Sequence, residues 1–255
     1  MAGHSQFKNI MYRKGAQDAK RARLFTKLAR EITVAVKEGG DDVDSNPRLR
    51  SAIGQARANN MPNANIDRAV KRATGDGAAN NFEPVRYEGY GPGGVAIVVE
   101  ALTDNRNRTA SEVRSAFSKL GGNMGETNSA SVMFERVGRV VFADTVGDYE
   151  SVFEAAAEAG AEDVEHQPAG EDEAGRYEVV CAADDFSTVR DALSAHFGDP
   201  QEARLGWKPV STQPVSEEQA QTLLKLIDQL EDYDDVQQVA SNLEISDDVL
   251  QRLSA

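Results

Sequence analysis

GRVVFADTVGDYESVFEAAAEAGAEDVEHQ, residues 138–167, and RYEVVCAADDFSTVRDALSAHFGDPQEARLGW, residues 176–207, carry the pattern from which the fold follows. In chain order they read as strand (GRVVFA), helix (DYESVFEAAAEAG), strand (DVEHQ), strand (RYEVVCAA), helix (FSTVRDALSAHFG) and strand (QEARLGW). The order β-α-β-β-α-β is the ferredoxin-like arrangement, an antiparallel sheet with two helices on one face. Each flank supplies half of the same grammar. Residues 87–135 predict a strand at 95–102, a helix from about Arg108 with Ala110, Val113, Phe117 and Leu120 inward, and a strand near 131–135. Beyond the repeat, WKPVSTQPV reads as a strand, SEEQAQTLLKLIDQL as a helix with Leu223, Leu224, Ile227 and Leu230 inward, and DVQQVASNLE as a weaker last strand. Two half-units around one whole unit predict nesting: 87–135 plus 209–255 form one discontinuous α/β domain, with 137–208 inserted as a second. A simple row of independent domains is the alternative. The expected class is α+β, an N-terminal three-helix basic domain followed by two ferredoxin-like α/β domains, one inserted in the other.

Residues 1–76 form the basic domain, and the Gly/Ala/Asn-rich stretch 77–86 reads as a linker. Its centre is RKGAQDAKRARLFTKLAREITVAVK, residues 13–37. At about 100° per residue, Leu24, Phe25, Leu28, Ile32 and Val36 gather on one side of a helix and Lys20, Arg23, Lys27, Arg30 and Lys37 on the other. No carboxylate is interleaved in the basic stripe, because Asp18 precedes it and Glu31 falls off it, so the stripe is a candidate phosphate-binding face. The bland alternative is a solvated helix whose Lys and Arg stems snorkel along its flanks. Gly39-Gly40 ends this helix, Asn46-Pro47 opens a second, and Asn60-Met61-Pro62-Asn63 separates it from a third that carries Arg68, Lys71 and Arg72 outside. A helix-turn-helix is disfavoured because asparagines and Pro62 stand where a Gly-centred turn is usual. Ahead of the helices, residues 3–15 read as a basic arm with Lys8, Arg13 and Lys14.

Over 255 residues the net charge is −14, but it is segregated: residues 1–74 hold 15 Lys+Arg and 7 Asp+Glu, the remainder 13 and 35. A basic head on an acidic body presents one end to polyanions and repels them from the other. The single Cys181 excludes an internal disulfide and a Cys-rich zinc site. No apolar run approaches the ~18 residues of a membrane span, and the start lacks the apolar core of a signal peptide, so a cytoplasmic protein with no membrane partner is expected. Three histidines without HExxH or CxxC spacing, and no GxSxG elbow, leave no catalytic residues, no metal and no cofactor to expect. Gly91-Pro92-Gly93-Gly94 enters a strand, unlike a P-loop, and reads as a turn. In Asp104-Asn105-Arg106-Asn107-Arg108-Thr109 the arginines sit where a helix begins; they either bind phosphate or are solvated while Asp104 or Asn107 caps the helix. The acidic run Glu231-Asp232-Tyr233-Asp234-Asp235 lacks the glycine and terminal glutamate of a calcium loop and reads as a solvated turn.

GHSQFKNI, RKGAQDAKRARLFTKLAREI, NPRLRSAI, NMPNANIDRAVKRATG, YEGYGPGGVAIVVEALTDNRNRTASEVRSAFSKLGGNMGE and DVQQVASNLEIS together resemble the YebC/PmpR family, which also includes mitochondrial translational activators. The resemblance spans nearly the whole chain. It implies a helical N-terminal domain with two α/β domains around a cavity, a non-enzymatic role, and regulation of gene expression through nucleic acid. The positions it marks for nucleic-acid contact are Lys8, Arg13, Lys14, Lys20, Arg23, Lys27 and Arg30, with Arg48, Arg50, Arg106 and Arg108 as secondary candidates. Gln6-Phe7 and Met11-Tyr12 depart from the family pattern, which shifts the arm toward stacking by Phe7 and Tyr12. Two targets stay open: DNA, for a transcriptional regulator, or ribosomal and transfer RNA, for a translation factor acting at proline-rich stretches. A monomer is expected, since nothing signals a palindrome-reading dimer. A pure protein-interaction adaptor using the acidic body is the rival.

Overall fold

A computed structural model describes residues 17–75, 81–170 and 174–254 of the chain. Among the described residues three helices come first, α1 (Gln17–Gly39), α2 (Pro47–Ala58) and α3 (Asn63–Thr74). The backbone leaves α1 at Gly40, whose φ of 83° is left-handed and costs glycine nothing. Buried Asn46 then ties α1 to α2. Its Oδ1 accepts the Leu49 N–H at 3.0 Å, while its amide donates to the carbonyls of Ala35 at 2.7 Å and Gly40 at 2.8 Å. Between α2 and α3 the connection is four residues, with Asn60 at φ 57°. The asparagines that disfavoured a tight turn therefore make one, because asparagine tolerates the left-handed region.

The chain continues through β1 (Glu83–Tyr90), β2 (Ala96–Thr103), α4 (Arg106–Lys119), β3 (Asn123–Met124) and β4 (Phe134–Ala143). Next come α5 (Tyr149–Ala159), β5 (Asp163–Gln167), β6 (Arg176–Ala182), α6 (Phe186–Phe197) and β7 (Glu202–Pro209). The last elements are β8 (Gln213–Pro214), α7 (Glu217–Glu231), β9 (Val236–Ser241), β10 (Leu243–Glu244) and α8 (Asp247–Ser254). The class is α+β, as expected: helices first, then antiparallel sheets with helices. No described helix is long and apolar enough to cross a membrane.

One sheet has the order β5-β6-β4-β7, which is the ferredoxin-like order for strands met in the sequence β4, β5, β6, β7. Val152, Ala156, Val189 and Leu193 of α5 and α6 fill its core against Val140, Phe142, Val179 and Cys181. Gly138 lies opposite Cys181 in the β4–β6 ladder, where a Cβ would stand 2.6 Å from the Cys181 sulfur and 2.8 Å from the Phe186 ring. Neither neighbour is a mobile surface tip. Gly138→Ala is expected to destabilise this sheet by about 1–3 kcal/mol, read as a lowered urea midpoint with unchanged slope; a midpoint equal to wild type would refute the tight packing.

The other sheet has the order β3-β1-β2-β9, all neighbours antiparallel. Val113 and Phe117 of α4 and Leu223, Leu226 and Leu230 of α7 pack on Val95, Ile97 and Val99. Here the sequence expectation needs correction in three places. The strand beside β2 on this side is β1, which precedes it in the chain; its residues Glu83–Arg86 lie within the stretch read as linker. WKPVSTQPV does not supply that strand: its start ends β7, and β8 pairs only with β10, in parallel. Residues 131–133 form a 3-10 turn, and Phe134 opens β4 of the ferredoxin-like sheet. The cause is the Gly91–Gly94 turn, with Gly93 and Gly94 at φ 74° and 77° and the Gly91 N–H on the Val95 carbonyl at 2.8 Å. It folds β1 back on β2 and so fills the position that the later segment would have taken.

By contact the described chain divides into two compact units, 17–30 with 81–135 and 208–254, and 31–75 with 136–207. The β3-β1-β2-β9 sheet belongs to the first; α2, α3, α5 and α6 belong to the second.

Candidate nucleic-acid interface

Of the apolar side expected for α1, Leu28, Ile32 and Val36 are buried, Phe25 is half-buried and Leu24 is exposed, while Thr33, Val34 and Ala35 are buried too, so the C-terminal half of the helix is enclosed on more than one face. On its basic side Arg23, Lys27 and Arg30 face protein in the first unit, while Lys37 is exposed. Arg23 pairs with Asp232, Lys27 Nζ donates to the Glu231 carbonyl at 2.6 Å, and Arg30 pairs with Asp235. The Lys27 ammonium thereby sits on the C-terminal end of α7, where the helix dipole favours a cation. The acidic run 231–235 is a turn with Asp232 and Asp234 exposed, as expected, but Asp235 departs from that reading: it is 3% exposed.

Asp235 is the centre of this arrangement. Thr109 donates its hydroxyl to Oδ2 at 2.6 Å, Arg108 donates Nη2 to the same oxygen at 2.7 Å, and Arg30 occupies Oδ1. Thr103 stands 2.8 Å from the Thr109 hydroxyl and accepts the Asn105 N–H at 2.9 Å. The Asp235 carbonyl accepts from Leu102 N at 2.8 Å. Burial pushes the Asp235 carboxyl pKa up, but the bonds from Thr109, Arg108 and Arg30 outweigh it and hold the value below the ordinary range. One carboxylate thus joins α1, the end of β2, the first turn of α4 and the start of β9.

Asn105, rather than Asp104 or Asn107, caps α4 by accepting the Arg108 N–H at 3.1 Å. Arg108 is spent on Asp104, at 2.9 Å, and on Asp235, which raise its pKa. Arg106 keeps 64% of its side chain exposed, 3.6 Å from Glu83. Arg48 bridges Glu31 at 2.8 Å and Glu38; burial lowers its pKa, yet the two carboxylates raise it overall. Arg50 is exposed and donates to the Asp44 carbonyl at 3.0 Å. Lys8, Arg13 and Lys14 lie outside the described residues, as does the side chain of Lys20.

The helical period puts Arg68, Lys71 and Arg72 on the outside of α3, but nothing in their spacing marks them as a site. They are exposed at i, i+3 and i+4, opposite buried Ile66 and Ala69. Arg57, in the last turn of α2, is exposed as well. Among the described residues none of these four makes an ion pair, and Arg68 has only a 3.3 Å contact to Asn65. Their spacing was the available signal; what set them apart was the engagement of α1, which spacing does not reveal. Among the described residues no group of three or more His, Cys, Asp and Glu side chains could hold a metal ion.

Comparison with known proteins places this geometry in a family. The model of the TACO1/YebC protein N-terminal domain matches residues 5–76, and that of the TACO1/YebC second and third domain matches residues 82–243. The chain belongs to the TACO1/YebC family. A crystal structure of a conserved hypothetical protein, Aq1575 from Aquifex aeolicus, is similar at 45% identity and TM-score 0.82, covering 90% of this chain and 93% of that one. Within the TACO1/YebC N-terminal match fall the engaged cations of α1 and the exposed cations of α3 alike.

Proposed function

We propose that this TACO1/YebC protein is a non-enzymatic, nucleic-acid-binding regulator of gene expression that acts in the cytoplasm as a monomer and takes no cofactor. The observation that supports it is the solvent face of α3, where Arg68, Lys71 and Arg72 stand exposed without carboxylate partners among the described residues. Guanidinium and ammonium groups in a row along a helix fit successive phosphates, and they fix position on a backbone without reading bases. Arg57, Arg50 and Arg106 add exposed charge, while Arg23, Lys27, Arg30, Arg48 and Arg108 are engaged by acceptors of the protein itself. The acidic remainder of the chain keeps adventitious polyanion binding low.

Phosphate-directed contact serves duplex DNA in transcription and ribosomal or transfer RNA in translation. The discriminating measurement is equilibrium binding of the full chain to a 20-base-pair DNA duplex and to a folded transfer RNA across a salt series. Binding to either with a log–log salt slope of about −3 or steeper supports phosphate contact by the α3 row; no saturable binding to either would refute the proposal. Preference for the duplex assigns transcription, and preference for the RNA assigns translation.

A further inference from the structure

Helix α5 buries Val152 and Ala156 and turns a different chemistry to solvent. Tyr149 and Phe153, 46% and 48% exposed, stack with ring centroids 5.9 Å apart and planes at 28°. One residue on from this aromatic column runs a second column of exposed carboxylates, Glu150, Glu154 and Glu158. The helix contains no Lys or Arg, and none of the three carboxylates has an ion-pair partner among the described residues. This is an unfavourable way to build a solvent helix. Like charges four apart repel, and Glu158 lies in the last turn, where the helix dipole favours a cation. Two large aromatic rings are also left in water.

We propose that the α5 face is a docking surface for an arginine- and lysine-bearing segment of a partner protein. The occupant follows from charge complementarity. A guanidinium laid over the Tyr149–Phe153 stack gains cation–π contact and reaches the neighbouring glutamates in the same pose. Nucleic acid is repelled from three adjacent carboxylates, so this surface is separate in chemistry from the α3 row and stands whether or not the α3 row binds phosphate.

The test uses the full chain and a fluorescein-labelled 14-residue peptide with arginine at every third or fourth position and leucine between. Y149S/F153S and E150Q/E154Q/E158Q are compared with wild type and with D184N/D199N/D248N, which removes three exposed carboxylates elsewhere. Both α5 variants are expected to weaken binding by about tenfold or more, and the control by less than about twofold. The glutamine variant is also expected to melt close to wild type, since the repulsion it removes offsets the loss of the Glu150 charge from the first turn, which separates a lost docking site from a damaged helix. Unchanged binding by Y149S/F153S, or an equal loss in the control, would overturn the proposal. So would sedimentation showing a dimer that the α5 variants abolish, because the occupant would then be a second copy.

Discussion

Asp235→Ala lowers the unfolding free energy of the unit that contains it by about 3–5 kcal/mol, the range for removing one partner of a buried charge cluster. The size follows from what is left behind. Arg30 and Arg108 lose a shared carboxylate, the Thr109 hydroxyl loses its 2.6 Å acceptor, and α1, α4 and β9 lose their common tie. Arg30→Ala costs less, because Asp235 keeps Arg108 and Thr109. Asp235→Asn keeps the shape and isolates the charge. The carboxyl pKa in the folded protein is below its unfolded value, so its stabilisation is fully present above about pH 4, the ordinary carboxylate value, and is lost as pH falls through the lower folded value. The stability gap between wild type and Asp235→Asn should hold from neutrality to about pH 4 and close below it. Urea unfolding at pH 7, 4 and 3 measures this, and a loss under 1 kcal/mol for Asp235→Ala at neutral pH would remove Asp235 from the centre of the fold.

R68E/K71E/R72E weakens nucleic-acid binding by about 100-fold or more at about 0.1 M salt and makes the log–log salt slope shallower by about three. Each reversal removes a phosphate contact and adds a repulsion, and the residues lie on the face of α3 opposite buried Ile66 and Ala69. The circular dichroism and melting of this variant should match wild type. R23E/K27E should behave the other way. These side chains meet Asp232 and the Glu231 carbonyl, so reversal places charge against an acidic helix end and lowers stability more than affinity. Equal affinity losses in the two variants, with no loss of stability in the second, would contradict this division of labour.

The two sheets were not equally legible in the sequence. Residues 138–207 announce themselves because each strand and helix is long enough for its own period to speak, and consecutive elements pack on each other. β1 does not: EPVRYEGY carries three charged residues and a proline, and its pairing is imposed by the Gly91–Gly94 turn and by β2, whose own run AIVVEALT is nearly all buried. The amphipathic period of α1 was equally plain. What faces its basic side was not, because the acceptors lie more than 200 residues away in a run that looks solvated. Arg106 and Arg108 show the same limit, since two residues of one type, two positions apart, divide between solvent and the buried Asp235 carboxylate.

The most direct test of the central claim is ultraviolet crosslinking in growing cells, with sequencing of the nucleic acid that stays on the purified protein, beside R68E/K71E/R72E. A defined set of crosslinked nucleic acids that disappears in the variant is the expected result, ribosomal or transfer RNA marking a translation factor and discrete DNA sites a transcriptional one. Recovery of no nucleic acid above background, or of the same set from the variant, would contradict it.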